Sequence, residues 1–175
     1  MLFRSQIQAE GTVYAFGINL EGSVTALNTI EQNGKIYLKA DSITISPSTK
    51  LDAVQGSIEI ESSFGMLYQE GTLLSDQIQI SSKKGPFYNL GTLQSTVVTI
   101  DALKFLNGGE ISAPQIDIHT HAYIETAQGY LFGKQISLQS DTTLFSSGTA
   151  VCPGGTISID APHITLASAT LGPQR

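Results

Sequence analysis

The stretch GEISAPQIDIHTHAYI, Gly109 to Ile124, sets Asp117, His119 and His121 at alternate positions. Neutral imidazole and carboxylate are the usual ligands of zinc and related transition metals. Alternate residues of a strand share a face, so all three project the same way if a strand runs on through residue 121. Aligning neighbouring repeats also brings Asp101 beside His119. The candidate donors are therefore Asp101, Asp117, His119 and His121. Side chains two apart on a strand stand about 7 Å apart along the chain, so convergence of four ligands would need a bend or a second loop. The favoured reading is a polar outer face whose histidines serve hydrogen bonding and solubility. No metal site and no cofactor is assigned.

Carboxylates are the other candidate chemistry. Acid–base work on a sugar needs two of them facing one groove, about 5–10 Å apart. Asp101 and Asp117 occupy different outward positions, and Asp76, Asp141 and Asp160 fall at expected corners, with no basic residue beside them. No Gly-rich phosphate loop, Gly-x-Ser-x-Gly elbow or calcium-binding nonapeptide occurs. The expectation is a protein that is not an enzyme. The alternative is a carbohydrate-active β-helix, a polysaccharide lyase or hydrolase. The pairs Phe87/Tyr88 and Tyr130/Phe132 could stack on sugars, but corner packing is the favoured role. Cys152, the one cysteine, sits in the turn-like VCPGGT and reads as a half-exposed free thiol.

The elements that would position these residues follow from a repeat. Gly71-TLLSDQIQI, Gly91-TLQSTVVTI, Gly109-EISAPQIDI and Gly129-YLFGKQISL share apolar residues two, seven and nine places after the glycine. A sister phrase appears as Gly34-KIYLKADSITI and Gly155-TISIDAPHITL. Within each phrase the period is two, as in Ile78/Ile80, Val98/Ile100 and Ile116/Ile118, which marks strands; almost no helix is expected. Strands this short cannot bury a core alone. Most junctions lack the Asn-Gly type of hairpin turn, although Gln32-Asn33-Gly34 and Leu106-Asn107-Gly108-Gly109 could supply one. The remaining solution is a coil in which each repeat is one rung and like strands stack in parallel. Ile80, Ile100, Ile118 and Leu138 then form one column at about 4.8 Å spacing. Glycines mark the corners. The prediction is an all-β parallel solenoid of roughly eight rungs of about 20 residues, with DTTLFSSGTAVCPG as a corner loop.

The chain has 175 residues, of which 14% are charged, and a formal net charge of −6. A nucleic-acid binder normally shows a basic face, so no nucleic-acid partner is expected. Lys83-Lys84 reads as a surface pair. No window approaches a membrane-spanning length of apolar residues, so no membrane insertion is expected. The opening MLFRSQIQAEGTVYAF lacks the apolar core of a secretory signal, and an export signal would lie upstream. Strand rhythm at both ends and the lack of an evident cap suggest an interior segment of a longer fibre-like protein.

The segment GTVYAFGINLEGSVTALNTIEQNGKIYLKADSITIS resembles the late part of the haemagglutination-activity domain of filamentous-haemagglutinin-like exoproteins. The family's rungs correspond to Gly22-Ser-Val-Thr-Ala26, Asn33-Gly-Lys-Ile-Tyr-Leu-Lys-Ala40 and Leu51-Asp-Ala53. The resemblance spans about residues 11–60, and the β-helix rhythm alone continues beyond it. It implies a right-handed parallel β-helix. Residues 1–60 would form the end of the family domain and 61–175 the continuing repeats, in one solenoid. It also implies a secreted or cell-surface adhesin, exported by two-partner secretion through an outer-membrane barrel transporter, with a host surface glycan or receptor as ligand. The family's Asn-Pro-Asn recognition segments are absent from this sequence.

Overall fold

The computed structural model describes residues 34–172 in full, together with the backbone of the strands Ser5–Glu10, Thr12–Ala15, Asn19–Leu20 and Gly22–Leu27. Every element is a strand, every strand pairing is parallel, and no helix occurs among the described residues. The chain winds as a β-solenoid with three faces. The first face begins with Ser5–Glu10 and Gly22–Leu27 and includes Thr92–Gln94, Glu110–Ser112, Tyr130–Phe132, Thr149–Val151 and Thr170–Gly172. The second runs from Thr12–Ala15 through Lys35–Ala40 to Thr156–Asp160. The third runs from Asn19–Leu20 through Ile43–Ile45 and Leu67–Gln69 to His163–Leu166. The long strands Thr72–Asn89, Val97–Asn107, Gln115–Glu125 and Gln135–Ser146 bend around corners and serve more than one face. Residue 60 lies inside Lys50–Ser62, and the stacking passes through it without a break.

The period-two pattern becomes a set of interior columns. Ile80 pairs with Ile100, Ile100 with Ile118 and Ile118 with Leu138, as the glycine alignment predicts. A parallel column holds Ile36, Ile58, Ile78, Val98, Ile116 and Ile136. The first face contributes Leu51, Leu73, Leu93, Ile111, Leu131 and Ala150. All of these are buried, and one continuous apolar core results. The third face adds larger groups. Phe87 stacks on Phe105 at 4.8 Å between ring centres, and Phe105 tilts against Tyr123 at 5.6 Å. Offset and tilted ring pairs of this kind add to plain burial.

Corners absorb the differences in rung length. Register shifts fall between Ala53 and Ser57, Ala102 and Lys104, and Thr120 and Ala122. At the corner between the second and third faces, inward hydroxyls take up the backbone oxygens that the bend frees. Ser62 donates to the Gly65 carbonyl, Ser82 to Gly85, Thr120 to Ala122 and Ser140 to Thr143, at 2.8–3.1 Å. At the corner between the third face and the next turn, Gly71, Gly91, Gly109, Gly129 and Gly148 lie one above another. A β-carbon on Gly91 would strike the Gly71 carbonyl oxygen, and one on Gly109 would strike that of Gly91. This close backbone approach, rather than an unusual φ, is what demands glycine there.

Two expectations are corrected. The stretch expected as a corner loop, Asp141 to Gly154, is mostly strand: it holds the end of Gln135–Ser146 and all of Thr149–Val151. Leu144 and Ala150 continue interior columns, so tertiary stacking organises a stretch whose Ser, Thr and Gly content resembles a loop. Cys152 is buried rather than half-exposed. Its thiol donates to the Lys134 carbonyl at 3.0 Å, and Gly155 packs close to the sulfur. Of the two hairpin-turn candidates, residues 32–33 lie outside the described residues, and Asn107 and Gly109 take part in parallel stacking.

Candidate functional site

The second face turns its polar residues outward, and they meet between rungs. Lys35 pairs with Glu59 at 2.7 Å and Lys39 with Glu61 at 2.8 Å. The Tyr37 hydroxyl also donates to Glu61 at 2.9 Å. Lys39 and then Tyr37 hold the Glu61 carboxyl below its ordinary range. The same Glu61 contact raises Tyr37 and Lys39. These pairs are only half-buried and stay open to solvent screening, so each adds little to stability.

Further along the same outer row, Asp101 sits beside His119, as the repeat alignment predicts. The His119 Nδ1 lies 3.8 Å from Asp101, and its Nε2 lies 3.4 Å from Asp141. His121 Nδ1 reaches the other oxygen of Asp141 at 3.6 Å. Lys83 closes the string on Asp101 at 2.9 Å, contrary to the expectation that no basic residue stands near these carboxylates. Lys83 is far from Asp101 in sequence and comes from the corner of the rung below. Asp117 is engaged elsewhere: the Gln115 amide donates to it at 2.6 Å. Among the described residues no set of three or more His, Cys, Asp or Glu side chains is arranged to hold a metal ion. The structure thus brings together Asp101, His119 and His121, adds Lys83 and Asp141, and leaves Asp117 apart. The result is an alternating row of charge and imidazole on a half-exposed surface.

Two grooves follow the corner between the first and second faces. One, of about 310 Å³, is lined by Gln94, Ser112, Pro114, Phe132, Lys134 and Pro153 among others. The other, of about 360 Å³, shares Gln94 and Ser95 with it and extends past Leu74 and Asp76 to Val54. Among the described residues, Asp76 is the single carboxylate in the two linings. Phe132 is exposed in the first groove, whereas Tyr130 is half-buried. The pair Phe87/Tyr88 is split: Phe87 packs in the core, and Tyr88 faces outward against Tyr68 with ring centres 5.8 Å apart.

Among the described residues, the carboxyl with the most altered chemistry is inside the coil. Glu125 is fully buried at the end of the third face. Burial pushes its pKa up to about 7, although the neighbouring Ser146, Asn107 and Tyr123 act in the opposite direction. Burial, and then the neighbouring Glu125, holds the Tyr123 phenol well above its ordinary range. Glu125 belongs to an interior polar row in which Gln69, Asn89, Asn107, Glu125 and Ser146 stack in register. The Asn89 amide donates to Asn107 Oδ1 at 2.9 Å, and Asn107 donates to Glu125 Oε1 at 3.5 Å. The Ser146 hydroxyl donates to Glu125 Oε2 at 2.7 Å. This row escapes a reading built on apolar alternation. A signal for it exists in the sequence: Gln69, Asn89, Asn107 and Ser146 each stand two places before a corner glycine.

No protein-family model, no curated protein and no solved structure matches the chain.

Proposed function

We propose that the chain is a structural and adhesive segment of a secreted or surface-exposed, filamentous-haemagglutinin-like adhesin, a rod that presents faces and does not turn over substrate. The observation that carries this reading is the continuous parallel stack, whose faces stay in register between the corners. It sets polar side chains at fixed intervals along the rod and seals inside it Glu125, the one strongly perturbed carboxyl among the described residues. Enzymes instead place perturbed acids and bases in clefts, where substrate reaches them. Here the corner grooves offer an exposed aromatic, hydroxyls, an amide and a lysine, groups suited to holding a host surface glycan without cleaving it. The parent protein would leave the cell through an outer-membrane barrel transporter.

The test is to present the segment on beads to glycan-bearing and glycan-stripped host cells, and separately to incubate it with neutral and acidic polysaccharides. The expected result is glycan-dependent attachment, with no new reducing ends and no unsaturated sugar product. Cleavage of any of these polymers would favour the alternative, a carbohydrate-active β-helix, and overturn the proposal.

A further inference from the structure

The interior polar row has a direction. From Asn89 upward each amide nitrogen donates to the oxygen of the next rung, and the row ends on the Glu125 carboxylate, which accepts from both sides. At the other end, the buried oxygens Gln69 Oε1 and Asn89 Oδ1 have no hydrogen-bond partner. The Gln69 nitrogen is already committed to the Gly71 carbonyl at 3.1 Å. Both of these orphan groups are acceptors, and they belong to residues paired on adjacent rungs. A buried oxygen without a donor is costly, so the row is short of one proton donor at this end. The Tyr123 hydroxyl is buried beside Glu125 but outside the row, close enough to act on the carboxyl without a well-formed hydrogen bond to it.

We propose that the side-chain amides of Asn89 and Asn107 turn over together when Glu125 takes up a proton, reversing the hydrogen-bond direction of the whole row. A protonated Glu125 donates from Oε1 to Asn107, and Ser146 still donates to Oε2. Rotation of each amide by half a turn exchanges its oxygen and nitrogen within nearly the same volume. Asn107 then donates to Asn89, and Asn89 donates to Gln69 Oε1. Each orphan acceptor of the row gains a donor, and none is lost. The proton comes from solvent and stays on the carboxyl. Of the groups facing Glu125, namely Asn107, Ser146 and Tyr123, only Tyr123 also titrates, and its phenol remains protonated across neutral pH. Gly129 and Gly148 crowd the Glu125 side chain and hold it against the row. The device makes the interior of the rod a proton-controlled switch of polarity that spans four rungs.

The experiment is an NMR titration of the side-chain amides of Gln69, Asn89 and Asn107 from mildly acidic to mildly alkaline pH, in the wild type and in Glu125→Gln. A glutamine keeps a permanent donor at this position and does not titrate. The expected wild-type result is one shared midpoint for all three amides, with a shift at Asn89 as large as that at Asn107. In Glu125→Gln the three signals should stay fixed. A wild-type shift confined to Asn107, a shift that decays with distance from Glu125, or no shift would overturn the proposal. So would a titration that persists in Glu125→Gln. If that variant does not fold, the wild-type pattern alone decides between the same outcomes.

Discussion

At the residue scale, Glu125 couples the fold to pH. Its folded pKa of about 7 lies above the ordinary 4.5, so the native chain holds the proton through a window in which the unfolded chain has lost it. The native state therefore binds more protons between these values, and stability falls as pH rises through the window. It is fully present below the lower value and levels off above the upper one. The total change is about 3 kcal/mol. Glu125→Gln should remove most of this slope, as read by urea unfolding at a series of pH values. Cys152 makes a second prediction at this scale. Its thiol is buried and bonded to the Lys134 carbonyl, so alkylation of the native protein should be slower than that of the unfolded chain by orders of magnitude. Neither residue's setting was legible from sequence. VCPGGT has the composition of a turn, and only the stacking of rungs brings Lys134, 18 residues away, to the sulfur. Glu125 breaks the Asn/Gln pattern of its row, and its burial depends on partners 18 and 21 residues away. The Asp101–His119 neighbourhood was legible, because it needs only the repeat register. Lys83 and Asp141 were not, because they reach the row from corners whose lengths vary.

At the element scale, the stacked glycines hold the corners and the apolar columns hold the faces. Gly109→Ala adds a methyl group against the Gly91 carbonyl and should destabilise the segment by about 1–3 kcal/mol. The same change at Gly154, where nothing lies near a β-carbon, meets no clash. It does force a non-glycine residue to a φ of 66°, so its smaller cost of roughly 1 kcal/mol arises from backbone strain alone. Thermal unfolding of the two variants separates the two causes. Ile118→Asp places an unpaired charge in the central column and should cost roughly 3 kcal/mol or more, with loss of β-type circular dichroism. Ser112→Asp, on the outer side of the first face, should change little. The strands themselves were legible because period-two spacing, repeated at a near-constant interval, has one economical packing solution. The strands within Asp141–Gly154 were not. The inward Ser146 and the outward Phe145 interrupt the apolar alternation there, and Leu144 and Ala150 mark the continuing columns.

At the scale of the whole molecule, the chain is a rod whose outer rows advance by one strand spacing per turn. Its surface chemistry is therefore a ruler: ion pairs, the histidine row and the corner grooves recur along one axis. The adhesive reading and the interior switch both depend on this geometry. The outward positions Ser57, Gln77, Val97, Gln115, Gln135 and Thr156 lie on one such row. Spin labels placed in pairs at Ser57 with Gln135, and at Ser57 with Thr156, would read the rise directly. Parallel stacking predicts separations of about 19 Å and about 24 Å, four and five strand spacings, with each added rung lengthening the distance by about 4.8 Å. Distances that fail to grow with rung number, as antiparallel hairpins or a helical bundle would give, would contradict the stacked coil.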